Sequence, residues 1–322
     1  MHLSLNLGKT RGLAQCASPA GAFCILALDH RQAVVKAFSR YGEKAFEESV
    51  NFKQEVIRSL SPYSTAFLLD PVIGAAPAIS ARVLPGATGL IVTAEESGYA
   101  GDPYARVSRL PSNWGVEKIK RMGASAVKLL IYYHSGAETA VMMQEFLNQV
   151  SQDCARCDIP LFLEILTYSP SKEGIALSDQ GRRDAILGAV ADLTPIGGDV
   201  LKVEFPASPS ESCQVWEDAC RSISQASRIP WVLLSAGVDC DVFMEQASIA
   251  CVSGASGILA GRAIWKEALN LDGLERNAFL VNNAQERLRR LSELCAVSAR
   301  PYFELCPPQT IERNWQSGYP GF

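Results

Sequence analysis

Eight short runs of apolar and β-branched residues recur along the chain, and no other feature narrows its fold as far. They are Phe23–Leu28, Thr65–Leu69, Gly89–Thr93, Ala126–Ile131, Leu161–Leu166, Val200–Phe205, Trp231–Leu234 and Gly257–Ala260. Their spacing of roughly 25 to 40 residues, with amphipathic stretches such as Phe46–Leu60 and Val116–Met122 between them, is the cadence of strand–helix units. The runs are continuously apolar, as expected of parallel strands covered on both faces. Eight such units in about 250 residues predict an α/β chain folded as a (β/α)8 TIM barrel. An open doubly wound sheet is the alternative, but no Gly-x-Gly-x-x-Gly follows the first run.

No Pro/Gly/Ser-rich linker divides the chain, so residues 1–322 read as one domain, with the barrel core at about 20–270 and a C-terminal helix and tail at about 280–322. Residues 1 to about 20 read as a helix or cover for the barrel bottom. Ser112 or Asn113 is placed to cap a helix beginning near Trp114. Ala284–Val297 is a further helical pattern. The Pro- and aromatic-rich tail Pro301–Phe322 is suited to pack on the barrel or against a second copy in a homo-oligomer.

Composition excludes several partners. The chain is 48% hydrophobic and 20% charged with a net charge of −4, so neither nucleic acid nor an anionic membrane is an expected ligand. No apolar run reaches the 18 or so residues of a membrane span. The apolar stretch Leu13–Leu28 is broken by Pro19 and Gly21 and ended by Asp29-His30-Arg31, which makes a poor signal peptide; a cytoplasmic protein is expected. The ten cysteines are scattered and several, such as Cys24, lie in apolar segments; Cys154-x-x-Cys157 has no second pair, so its structural reading is favoured over metal or redox use.

Against this background Lys202 stands out, because it lies inside the apolar run Val200–Phe205. Taking an ammonium out of water costs several kcal/mol, about what a protein avoids by neutralising or pairing the group. A neutral amine in such a site is a nucleophile for carbonyl carbons. Lys128 occupies a second apolar run and Glu164 a third, while Asp29 ends the first. In a barrel of this kind catalytic groups gather at the C-terminal strand ends, where these four fall. A Lys that forms an iminium with a ketone provides an electron sink for breaking the adjacent carbon–carbon bond, with a carboxylate moving protons. A structural ion-pair cluster is the competing reading. Glu204 shares Lys202's side of the strand by alternation and could be its partner. Lys36, Lys44 and Lys53 lie on helical patterns and read as solvated.

The runs at strands seven and eight end in Ser235-Ala-Gly237 and Gly254-Ala-Ser-Gly-Ile-Leu-Ala-Gly261-Arg262. Small residues at these two loops let backbone N–H groups approach an anion, and Arg262 can add a bidentate contact, so Ser235, Gly237, Gly261 and Arg262 form a candidate phosphate site. Arg31 is the candidate contact for a second, distal anion. Only three histidines occur, His2, His30 and His134, without a zinc-binding pair, so no metal and no cofactor are expected. An oxygen-only magnesium site drawn from Asp29, Asp70 and Glu95 is the remaining metal alternative.

In order along the chain, Ala27-Leu-Asp-His-Arg31, Leu68-Leu-Asp-Pro71, Glu95-Glu-Ser-Gly-Tyr99, Ala126-Val-Lys-Leu-Leu-Ile-Tyr-Tyr133, Phe162-Leu-Glu-Ile-Leu-Thr-Tyr168, Asp199-Val-Leu-Lys-Val-Glu204, Leu234-Ser-Ala-Gly237 and Gly261-Arg-Ala-Ile-Trp265 resemble the motifs of class I tagatose 1,6-bisphosphate aldolase. The resemblance implies metal-independent cleavage of a phosphorylated sugar, a ketohexose bisphosphate, into dihydroxyacetone phosphate and glyceraldehyde 3-phosphate. It implies Lys202 as the Schiff-base residue, with Glu164, Lys128 and Asp29 beside it. The related sulfofructose-phosphate aldolases share several of these motifs and would release sulfolactaldehyde instead. A phosphosugar isomerase and a non-catalytic phosphosugar-binding regulator are the readings outside this chemistry.

Overall fold

Each apolar run becomes a strand of one closed, parallel barrel. The strands are β1 Phe23–Leu28, β2 Ala66–Leu69, β3 Gly89–Thr93, β4 Ala126–Tyr133, β5 Leu161–Thr167, β6 Val200–Val203, β7 Trp231–Leu234 and β8 Gly257–Ala260. They follow one another around the ring in chain order, and β1 closes on β8. The computed structural model describes residues 5–307, 310–311 and 313–319. Residues 1–4 of the expected bottom cover, with His2, and residues 308, 309, 312 and 320–322 of the tail lie outside the described residues.

Ring closure depends on Gly257, which has a φ of +131°. A Cβ built there would stand 2.0 Å from the Phe23 carbonyl oxygen, so only glycine lets β8 approach β1 at this point.

Alternation along the strands sorts the core into two bodies. Leu28, Leu69, Val92, Val127, Leu163 and Leu201 face outward, under the surrounding helices. Ile25, Ala27, Leu68, Ile91, Ala126, Phe162, Val200, Val232 and Leu259 point inward and fill the lower barrel. The bottom is stoppered by helix Leu7–Cys16, whose Leu13 and Cys16 are fully buried, and by Tyr302, whose ring lies 5.3 Å from that of Phe23. Lys9 ties that helix to the start of β6 through a 2.8 Å ion pair with Asp199, which also accepts a hydrogen bond from the Leu161 N–H. The first residues of the tail therefore pack on the barrel.

One expected helix start is different. The helix runs Val116–Arg121 behind Gly115, with no side-chain cap from Ser112 or Asn113. The preceding residues turn instead, with the Trp114 N–H on the Pro111 carbonyl and the Trp114 indole donating to the Thr93 carbonyl at 2.9 Å. The late helix runs Gln285–Ser298, close to its expected place. No helix among the described residues is long and apolar enough to cross a membrane.

Candidate active site

The inward alternation that fills the lower barrel with apolar groups carries ionisable ones one layer higher. Above Ala126 comes Lys128, above Phe162 Glu164, above Val200 Lys202, and two residues beyond Thr93 comes Glu95. Register completes the arrangement, because Glu164 and Lys202 are direct neighbours across β5 and β6. Asp29 follows β1 on the same rim.

Glu164 Oε2 lies 2.8 Å from the Nζ of both Lys128 and Lys202. Both contacts are buried ion pairs. Lys128 is further held by Glu95 at 2.5 Å and Asp29 at 3.2 Å. Burial opposes the charge on Lys128, but the carboxylates of Glu164, Glu95 and Asp29 outweigh it and hold this ammonium well above its ordinary range. Burial likewise opposes ionisation of Glu164 and Asp29, and Lys128 with Lys202 overcomes it, so both acids sit below theirs. Lys128 is thus the amine locked in its charged form, while Lys202 has one carboxylate neighbour and shares it.

These shifts predict how stability follows pH. A carboxylate depressed in the folded state stabilises above its unfolded pKa and loses that contribution as pH falls through the folded value; a raised lysine stabilises below its unfolded pKa and loses it as pH rises. The cluster should therefore stabilise fully between about pH 5 and 10 and fail on both sides. His30 adds to the acid side. Burial, with Arg262 and Lys202 nearby, pushes it down to about 4 against the pull of Asp29, so the unfolded chain takes up its proton first as pH falls. Thermal melts across pH check this: Glu164→Gln should flatten the acid limb, and an unchanged limb would contradict the assignment.

Two adjoining cavities of about 250 and 290 Å³ open at this rim, and His30, Glu164, Leu166 and Lys202 line both. The second holds the sequence-predicted anion loops. Ser235 Oγ accepts from the Gly261 N–H at 3.1 Å. Gly237 has a φ of +80°, which favours glycine at this turn, and a Cβ there would come within 3.2 Å of the Arg262 guanidinium. Arg262 has no carboxylate partner among the described residues. The first cavity is lined by Arg31, whose Nη2 donates to the Glu95 carbonyl at 2.9 Å, and by Ser97, Gly98 and Tyr132. All the expected site residues thus converge on one rim.

Two readings change, those of Lys53 and Glu204. Lys36 and Lys44 are exposed, but Lys53 is fully buried, donating to the Leu28 carbonyl at 2.7 Å and pairing with Asp70. Glu204 does not partner Lys202. It sits a layer higher, where Arg182 reaches it at 3.1 Å and Thr167 at 3.2 Å. The three acids considered for magnesium are divided between two lysines, Asp70 on Lys53 and Asp29 with Glu95 on Lys128. Among the described residues no group of three or more His, Cys, Asp or Glu is placed to hold a metal ion.

The DeoC/LacD family aldolase profile matches residues 23–267, from the first residue of β1 to just beyond Trp265. The chain belongs to the DeoC/LacD aldolase family. It is 29% identical to tagatose 1,6-diphosphate aldolase 2 of Enterococcus faecalis, over 92% of this chain and 96% of that one. It is 30% identical to tagatose 1,6-diphosphate aldolase 1 of Streptococcus pyogenes, over 77% and 82%. Fructose-bisphosphate aldolase of Plasmodium falciparum, solved with TRAP and an inhibitor, shares the fold at a TM-score of 0.71 and 15% identity, over 93% of this chain and 98% of that one. This DeoC/LacD aldolase is therefore an enzyme, an aldehyde-lyase, and the regulator reading falls away.

Two site residues of the aldolase were not singled out in sequence as parts of the lysine cluster. Glu95 continues the inward series Ile91, Thr93, so alternation carried past the end of β3 points to it. Tyr132 is fixed by Arg106 of the short hairpin Ala100–Asp102 and Ala105–Val107, whose guanidinium lies 5.6 Å from its ring and 4.6 Å from that of Tyr99. Strands of three residues carry no periodic signal.

Proposed function

We propose that this aldolase works through a Schiff base on Lys202 and cleaves a ketohexose bisphosphate, most naturally tagatose 1,6-bisphosphate, to dihydroxyacetone phosphate and glyceraldehyde 3-phosphate. The observation that carries the reading is the position of Lys202 and Glu164 on the seam between two cavities, one with the Ser235–Gly237 and Gly261–Arg262 cradle and the other with Arg31. A sugar with an anion at each end, laid across that seam, brings its carbonyl to Lys202. The names of the two bacterial relatives support the same substrate class.

The amine of Lys202 adds to the carbonyl carbon, and water leaves to form the iminium. The C4 hydroxyl then gives up its proton and the C3–C4 bond breaks, its electron pair passing into the enamine on Lys202. Protonation at C3 and hydrolysis release the ketone phosphate. Glu164, 2.8 Å from Lys202, is the group placed to carry these protons. Lys128, locked in charge by its three carboxylates, keeps Glu164 ionised between proton transfers, and Asp29 holds Lys128 in position.

Borohydride added with dihydroxyacetone phosphate should fix the three-carbon unit irreversibly on Lys202, read by peptide mass, and EDTA should leave turnover intact. Labelling of another lysine, or loss of activity to EDTA, would sink this chemistry. Comparing tagatose 1,6-bisphosphate, fructose 1,6-bisphosphate and sulfofructose 1-phosphate assigns the distal half. Cleavage of none of the three would move the aldolase to another substrate.

A further inference from the structure

His30 lines both cavities, yet the chemistry above gives it no role. Its seat is built from the two strands that close the barrel. The ring meets Trp265 edge to face at 5.4 Å, and the Trp265 indole donates to the Ala27 carbonyl at 2.9 Å. Gly261 is a further neighbour: a Cβ built there would lie 3.4 Å from His30 Cε1, at van der Waals contact. Even so, the ring Nδ1 is buried with no hydrogen-bond partner among the described residues, and the nearest carboxylate oxygen, on Asp29, is 3.7 Å away. Thr93 Oγ1 and Glu95 Oε2, both on residues lining the first cavity, are also buried without a hydrogen-bond partner among the described residues. Buried polar atoms rarely stay unpaired. Three gathered around the first cavity, beside a lysine placed to bind a carbonyl, match a ligand rich in hydroxyls.

The ring is also in the state such a ligand requires. With burial and neighbouring cations pushing it down to about 4, the imidazole is neutral at physiological pH, with one nitrogen that donates and one that accepts. Neutral imidazole can therefore satisfy a hydroxyl in either direction without adding charge to a cluster that already holds two lysines.

We propose that His30 is a substrate contact that hydrogen-bonds the sugar hydroxyls on the far side of the bond being broken, and so selects the aldehyde half. The inference rests on the aldolase reading and extends it to specificity. Dihydroxyacetone phosphate carries the ketone half alone, so the two halves can be tested separately. In His30→Ala, kcat/KM for cleavage of tagatose 1,6-bisphosphate should fall roughly 10- to 100-fold. Borohydride trapping of dihydroxyacetone phosphate on Lys202 should stay within about twofold of wild type, which also reports a folded site. His30→Gln, which keeps a donor and an acceptor at similar length, should recover most of the cleavage and leave the pH–rate profile in place. Wild-type cleavage by His30→Ala, an equal fall in cleavage and trapping, or a displaced pH profile in His30→Gln would each overturn the proposal. A wild-type protein that never traps dihydroxyacetone phosphate would overturn the aldolase chemistry and this inference with it.

Discussion

Under the proposed Schiff-base chemistry, Lys202→Met is expected to abolish turnover, by roughly 10⁵-fold in kcat, because Lys128, the other amine of the cluster, is held in its charged form by three carboxylates. Folding should be little affected. Methionine has a similar length and suits an apolar strand. Glu164 would keep its 2.8 Å contact with Lys128, so no carboxylate is left buried without a cation. The melting temperature should stay within about 3 °C of wild type. Paired measurements of turnover and thermal melting check both halves. Retained turnover would move the chemistry away from Lys202, and a collapse in stability would make the lysine a structural member of the cluster.

Lys53→Met should behave in the opposite way. Lys53 and Asp70 are both fully buried, and Asp70 also accepts from the Val72 and Ile73 N–H groups at 2.9 Å, turning the chain after β2. Removing the lysine leaves that carboxylate uncompensated, at a cost of about 3–5 kcal/mol. For a chain of this size the melting temperature should drop by roughly 6–12 °C. The pair contributes to function indirectly, since Lys53 also fixes the Leu28 carbonyl, one residue before Asp29. A second substitution, Asp70→Asn, should return part of the lost stability, because the buried charge goes with it. Two melts that shift by less than a degree would show that the pair contributes nothing net.

The barrel and the lysine–glutamate–lysine centre were legible in the sequence for one shared reason. Parallel strands buried on both faces tolerate almost no polar residue, so Lys128, Glu164 and Lys202 contradicted their surroundings. Lys53 was misread because a lysine on an amphipathic helix is ordinarily solvated. The signal was nevertheless present: Ser49, Phe52, Val56, Ile57 and Leu60 share the buried stripe, and position 53 falls inside it. Glu204 shows the limit of alternation, which gives the side of a strand but not the layer. The missing cap at Ser112 and Asn113 has a tertiary cause, since the indole of Trp114 is claimed by the Thr93 carbonyl across the barrel rim.

The stopper formed by helix Leu7–Cys16 and Tyr302 has a kinetic corollary. With the lower barrel filled by the described residues, the two rim cavities are the approach to Lys202. Under the proposed chemistry, the aldehyde and the water that frees the covalently held ketone must use that same approach in opposite directions. Departure of the aldehyde would then have to precede hydrolysis, so the two products would leave in a fixed sequence. In the synthetic direction the same traffic rule would hold the nucleophile in place before any acceptor aldehyde arrives.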